Sequence, residues 1–214
     1  MVSMVGDTLV RDGFWSAPRE FDGQRVYILG GGYTLHGFDP SPLRQSGGVI
    51  ACNSAGLTIA PWADVLIYGD ERWLEWNVDK IHLFSGRHVV SRSRVPRSSP
   101  HPRVRVMHHT SPSPALSVSP SSLSGHCTGG SAINLAFLMG AVEIVLLGYD
   151  MRPGNFHDMH RVPPEEEQHA LRFIPAIEAM APVLVSHGVR VINSTPHSEL
   201  RCFEYMPLSE LAVH

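Results

Sequence analysis

The chain has 214 residues, 43% hydrophobic and 17% charged: enough apolar material for one sizeable core, and too much for a disordered or collagen-like chain. The formal net charge of −3 is unevenly spread: residues 1–79 and 143–214 each carry ten acids and five arginines, while 80–142 carry Lys80, six arginines and no acid. Lys80 is the single lysine and follows Asp79, which excludes a Gly-Lys phosphate loop and leaves Schiff-base chemistry one candidate.

Residues 1–11 include Asp7 and lack a basic start followed by an apolar stretch, so no secretory signal is expected. No run approaches the ~18 uncharged apolar residues that a membrane helix needs, and no membrane partner is expected. Cys52, Cys127 and Cys202 lie far apart without a Cys-x-x-Cys pair. A disulfide framework or zinc ribbon is therefore not expected, and a reducing, cytoplasmic setting is.

Arg25–Leu29 is a short β-rich apolar run that stops at Gly30-Gly31-Gly32. Gly48–Cys52 is a second, ending at Asn53-Ser54, and Asp64–Tyr68 a third, ending at Gly69-Asp70. Ser91–Ser124, with six prolines and eleven serines, predicts a long irregular excursion, an insertion or lid, in which Val104–Val106 alternates like a short strand. Ser131–Met139 is apolar all round, as a buried helix should be. Glu143–Leu147 is a fourth run, ending at Gly148-Tyr149-Asp150. Glu165–His187 predicts a helix with acids in its first turn, kinked or split at Pro175 and Pro182. Val189–Ile192 is the last run, ending at Asn193-Ser194. Near-continuous apolar strands alternating with helices predict an α/β, Rossmann-like fold, its sheet mostly parallel with helices on both faces, in one domain over 1–214.

The acid-free stretch 81–142 also holds six histidines, which suits a surface that meets an anion such as nucleotide phosphate, nucleic acid or an acidic sugar. A solvated basic loop paired with the acidic flanks is the plainer alternative. Nucleic acid would contact 87–105, but no aromatic residue interrupts that segment to stack on bases, which counts against it.

In parallel sheets ligands bind at the strands' carboxyl ends. Gly30, Gly31 and Gly32 let backbone approach a phosphate or ribose. The dinucleotide fingerprint fails, because position 35 is Leu and the second strand ends in Asn53 rather than an acid, so NAD is not expected. Asn53 can instead donate and accept toward a base edge or ribose, with Ser54 beside it. Ser124-Gly125-His126-Cys127-Thr128-Gly129-Gly130-Ser131 leads into the buried helix as an anion seat, or as ordinary capping by Thr128 or Ser131. Asp150, His157, Asp158 and His160 then offer a general base or divalent ligands, with Arg152 between them as a cation for phosphate.

Together Val26–Leu35, Ile50–Asn53, Ala63–Asp70, Ser124-Gly125, Ser131–Ala136 and Gly140–Asp150 resemble a Rossmann-like superfamily. It contains bacterial sialyltransferases that use CMP-sialic acid, 6-hydroxymethylpterin pyrophosphokinase-like enzymes, flagellin-glycosylation accessory proteins and small phage or prophage proteins, and the compact chain is most similar to the last. The resemblance implies that Gly31, Gly32 and Thr34 line nucleotide phosphates, that Asn53 contacts base or ribose, and that Ser124–Gly130 complete the pocket. It implies a histidine base, His160 or secondarily His157. Asp70 stands where the sialyltransferases have an amide, pointing to a metal or a different base, and Arg152 sits near their phosphate-binding tyrosines.

The expectation is a nucleotide-dependent transferase, foremost a glycosyltransferase with a nucleotide-sugar donor. The alternatives are Mg²⁺-dependent pyrophosphoryl or nucleotidyl transfer through Asp70 and Asp150, and a non-catalytic module binding nucleotide or nucleic acid. A second copy of the chain stays open as a partner.

Overall fold

A computed structural model describes residues 2–5, 8–11, 13–96, 101–157 and 167–211. Three short strands, β1 (Val2–Val5), β2 (Thr8–Arg11) and β3 (Phe14–Trp15), form an antiparallel sheet at the start of the chain. The main sheet holds β4 (Arg25–Leu29), β5 (Gly48–Cys52), β6 (Val65–Ile67), β7 (His88–Ser93), β8 (Val104–His109), β9 (Ser122–Leu123), β10 (Glu143–Leu147), β11 (Arg190–Asn193) and β12 (Glu204–Tyr205). Their order is β12-β11-β10-β4-β5-β6-β7-β8-β9, with every neighbouring pair parallel. The chain starts mid-sheet at β4, winds outward to β9, then returns to β10 on the other side of β4. That reversal creates a switch point between β4 and β10, where parallel sheets open a crevice at their carboxyl ends.

All five apolar runs are strands, and the α/β class with a mostly parallel sheet holds. Alternation along β4 explains the layers: Val26 and Ile28 face one core, Tyr27 and Leu29 the other. On the first face lies α3 (Thr128–Leu138), together with Ile177 of α4 (Ile174–Glu178), Leu184 of α5 (Ala181–Ser186) and Met180 between them. On the second lie α1 (Ala55–Thr58) and α2 (Glu71–Asn77), through Leu57, Trp73 and Leu74. Ile133 and Leu135 of α3 are fully buried, each worth about 1.5–3 kcal/mol of transfer free energy.

The Ser/Pro/Arg-rich stretch is more regular than its composition predicts. Ser91–Ser93 end β7, Val104–His109 make all of β8 and Ser122-Leu123 make β9. Polar residues enter these strands because β7–β9 approach the sheet edge, where one side need not be apolar. The irregular part between β8 and β9 is tied to α3 by Asn134, itself fully buried. Its Oδ1 accepts from the amides of Ser117 (3.0 Å) and Ser124 (2.8 Å), and its Nδ2 donates to the Ser117 carbonyl (2.8 Å).

The predicted helix over 165–187 is split as its prolines dictate. A π-helical turn at His169–Phe173 precedes α4 and α5, and Pro175 and Pro182 sit in the first turns of those helices. The stretch His169–Ser186 reaches 18 residues at mean hydropathy 1.2, long and apolar enough by those measures to cross a membrane, although it includes Arg172 and Glu178. Much of the basic charge of 80–142 is used internally. Arg87 pairs with Glu20 (2.9 Å) and Asp64 (2.8 Å), and Arg103 donates to the carbonyls of Ile81, Phe84 and Gly86.

Candidate functional site

A cavity of about 860 Å³ opens at the switch point. Its walls come from the ends of β4 (Gly30, Gly31, Gly32), β5 (Cys52, Asn53), β6 (Gly69, Asp70), β7 (Arg92) and β10 (Gly148–Arg152), with Thr128 and Gly129 of α3. Gln168, His169 and Phe173, from the segment before α4, also line it.

The glycine loop is packed tightly against the end of β10. Gly30 donates to the Leu147 carbonyl (2.8 Å) and Gly32 to that of Gly148 (2.9 Å). A Cβ on Gly32 would collide with the Asp150 carboxylate, so glycine is required there by close approach. Asp150 is almost completely buried and accepts from the Thr34 hydroxyl (2.7 Å) and amide (3.2 Å). The amides of Gly30, Gly32 and Thr34 are thus engaged within the protein, while the three glycines still form the cavity wall.

At the end of β5, Asn53 takes a left-handed conformation (φ 51°), which asparagine tolerates better than most residues, and its Nδ2 donates to Thr128 Oγ1 at 3.5 Å. Ser54 turns away, with its hydroxyl 3.4 Å from Trp73 Nε1. Asp70 caps α2 by accepting from the Arg72 amide (2.9 Å), and pairs with its guanidinium (2.7 Å).

Helix α3 begins three residues before the predicted Ser131, and its cap is neither Thr128 nor Ser131. Cys127 caps it, its sulfur accepting from the Gly130 amide at 3.3 Å. Ser131 is fully buried and donates to the Ser124 carbonyl (2.8 Å), while Ser124 donates to the Pro114 carbonyl (2.6 Å). Gly125 (φ 116°) supplies the turn. Ser124, Gly125, Gly130 and Ser131 therefore build the floor behind the cavity, and Thr128 and Gly129 form its surface. Tyr149 donates from its hydroxyl to the Gly129 carbonyl (3.0 Å), joining α3 to β10. Burial pushes its phenol and the Cys52 thiol well above their ordinary pKa values, and raises that of the Cys127 thiol, so all three stay neutral.

Arg152 stands exposed at the cavity mouth. His157 is not on the wall, its ring packing edge-on against Phe156 at 4.6 Å. His160 lies outside the described residues. Two other histidines do line the cavity, exposed His126 and half-buried His169. The His169 ring stands edge-on to Phe173 at 5.3 Å, its Nδ1 is buried with no hydrogen bond among the described residues, and desolvation lowers its pKa, which holds it neutral. Among the described residues no group of three His, Cys, Asp or Glu is placed to hold a metal ion.

Of the predicted site residues the fold brings Gly30, Gly31, Gly32, Asn53, Asp70, Thr128, Gly129, Asp150 and Arg152 to one cavity. It leaves Thr34, Ser54, Ser124, Gly125, Gly130, Ser131 and His157 off its wall. Sequence reasoning missed Arg92, Tyr149, Gln168 and His169. Arg92 ends a strand whose Val89-Val90 pair is too short to stand out, and His169 hides inside a helical pattern.

No protein-family model and no curated protein matches the chain. Solved structures do share its fold. The sialyltransferase CstII from Campylobacter jejuni, in complex with the substrate analogue cytidine-5'-monophosphate, superposes with a TM-score of 0.55 at 14% identity, over 86% of this chain and 85% of that one. A CstII complex with trisaccharide acceptor and CMP gives 0.53 at 13% identity, over 85% of each chain. At this identity the likeness is one of fold.

Proposed function

We propose that this chain is a nucleotide-dependent transferase, and specifically a glycosyltransferase with a nucleotide-sugar donor, acting as one nucleotide-binding domain. The observation that carries it is the cavity itself: about 860 Å³ at the switch point, walled by glycines, a helix N-terminus and a histidine held neutral by burial. The fold shared with a sialyltransferase that was solved with CMP supports the same reading.

In this reading the bond from the sugar's anomeric carbon to the phosphate oxygen breaks, and the nucleotide leaves with that electron pair. Arg152 and the first residues of α3, Thr128 and Gly129, stabilise its negative charge. The acceptor hydroxyl attacks the anomeric carbon and gives its proton to a histidine. His169 takes this role over His126 because it combines a cavity position with an imidazole that desolvation holds neutral. The rival reading, pyrophosphoryl or nucleotidyl transfer with Mg²⁺ on Asp70 and Asp150, must displace Arg72 from one carboxylate and Thr34 from the other.

A thermal-shift screen of CMP, UDP, GDP, ATP and GTP, each with Mg²⁺ and with EDTA, tests the proposal. A ligand at ~100 times its dissociation constant stabilises by about 2.7 kcal/mol. A metal-independent shift with CMP or UDP is expected. A shift that needs Mg²⁺ and ATP or GTP moves the assignment to pyrophosphoryl transfer, and no shift at all removes the nucleotide reading. With a donor found, His169→Ala should abolish turnover and spare nucleotide binding. Loss in His126→Ala or His160→Ala instead would reassign the base.

A further inference from the structure

Strand β7 ends in Arg92-Ser93, and the Arg92 guanidinium reaches the cavity wall. One corner of it is fully used. Nη1 donates to the Gly125 carbonyl and to Ser131 Oγ (2.5 Å) and lies 3.1 Å from His109 Nε2. Among the described residues the other edge, Nε and Nη2, makes no hydrogen bond and no carboxylate pairs with Arg92. Asp70, on the same wall, is paired with Arg72. A largely buried guanidinium held by neutral partners is a costly arrangement unless something outside the protein completes it.

The free edge points at a definite place. A Cβ on Gly69 would lie 3.1 Å from Nη2, 3.2 Å from Nε and 2.9 Å from Thr128 Oγ1. Three donors therefore cluster around Gly69 on the cavity wall, and they stay uncovered because residue 69 has no side chain. Thr128 Oγ1 already accepts from Asn53 Nδ2 (3.5 Å), which leaves its own proton for that spot. Two parallel N–H groups and a hydroxyl match the oxygens of a phosphate or carboxylate.

We propose that Arg92 Nε and Nη2, with the Thr128 hydroxyl, form an oxyanion seat beside Gly69 that takes a phosphate or carboxylate group of the ligand. The inference deepens the nucleotide reading and rests on it for the group that carries the anion. It makes Arg92 a binding residue that selects for charge, separate from Arg152 at the mouth.

Calorimetric titration of the wild-type chain, Arg92→Gln and Gly69→Ala with cytidine, CMP, inorganic phosphate and pyruvate tests it. Gly69→Ala crowds the seat while retaining the Arg92 groups that bond Gly125 and Ser131, so it tests the seat without deleting those bonds. Circular dichroism and thermal melts confirm that both variants fold. The expected result is an at least ten-fold loss of anion affinity in both variants, with cytidine binding unchanged. Loss of CMP and phosphate identifies a phosphate seat, whereas loss of pyruvate alone identifies a carboxylate seat. A loss confined to Arg92→Gln marks Arg92 as structural and overturns the seat. If wild type binds CMP and both variants match it, the seat falls and the nucleotide reading stands. If wild type binds phosphate but no nucleotide, and both variants lose the phosphate, the seat stands and the nucleotide reading falls. If wild type binds none of the four probes, both fall.

Discussion

Asp150 holds Thr34 by two hydrogen bonds, 2.7 Å to its hydroxyl and 3.2 Å to its amide, and so fastens the glycine loop of β4 to the end of β10. Because the carboxylate is almost fully buried, these bonds are charge-assisted and poorly replaced by water. Asp150→Asn should cost about 1.5–3 kcal/mol in urea unfolding. A double-mutant cycle with Thr34→Val should return a coupling of about 1–2 kcal/mol. Strict additivity would show that the pair does not act together.

Asn134 offers a sharper stability test, because one side chain satisfies two buried amides and a carbonyl of the segment before α3. Asn134→Leu keeps the volume and leaves all three groups unsatisfied. At roughly 1–3 kcal/mol for each such group, the loss should be on the order of 3–9 kcal/mol. A change below 1 kcal/mol would mean that water reaches Ser117 and Ser124 readily.

Much of the sheet was legible because strands buried on both faces must be apolar throughout, as Val26–Leu29 and Ile144–Leu147 are. The residues after those strands announced a site through small and polar side chains, and Gly30–Gly32, Asn53, Asp70 and Asp150 do share one cavity. Of strands β7 to β9 only the alternating Val104–Val106 of β8 was visible, since strands toward the sheet edge tolerate Ser, His and Arg and so carry a weak apolar signature. The charge excess of 80–142 was visible, but its use was not. Whether an arginine meets a ligand, a carboxylate or a carbonyl depends on register and loop course, which separates Arg92 from Arg87 and Arg103.

Arg103 shows the structural use of that charge. Its guanidinium donates to the carbonyls of Ile81 (3.2 Å), Phe84 (2.6 Å) and Gly86 (3.0 Å), bonds that water would otherwise supply at the end of a helical turn. Arg103→Ala should destabilise by about 2–3 kcal/mol and leave nucleotide affinity unchanged. Arg103→Lys should recover only part of the loss, because an ammonium cannot span three carbonyls as a planar fork does. Full recovery in the lysine variant would show that charge, rather than shape, is what matters there.

His109 should make the protein acid-sensitive. Burial, and then the positive charge of Arg92, push its pKa down from 6.5 to about 4. Between those two values the unfolded chain binds a proton that the native protein refuses. The stabilisation is therefore fully present above about pH 6.5 and is lost as the pH falls toward about 4. The ring is only half-buried, so solvent screening holds its share to on the order of 1–2 kcal/mol. His109→Gln, which does not titrate, should lose less stability than wild type between pH 7 and pH 4.5 in urea unfolding. Parallel losses in the two proteins would assign the acid limb to other groups. An oxyanion bound at Arg92 should raise the His109 pKa by offsetting the neighbouring charge, so phosphate should flatten the wild-type acid limb and leave that of His109→Gln unaffected.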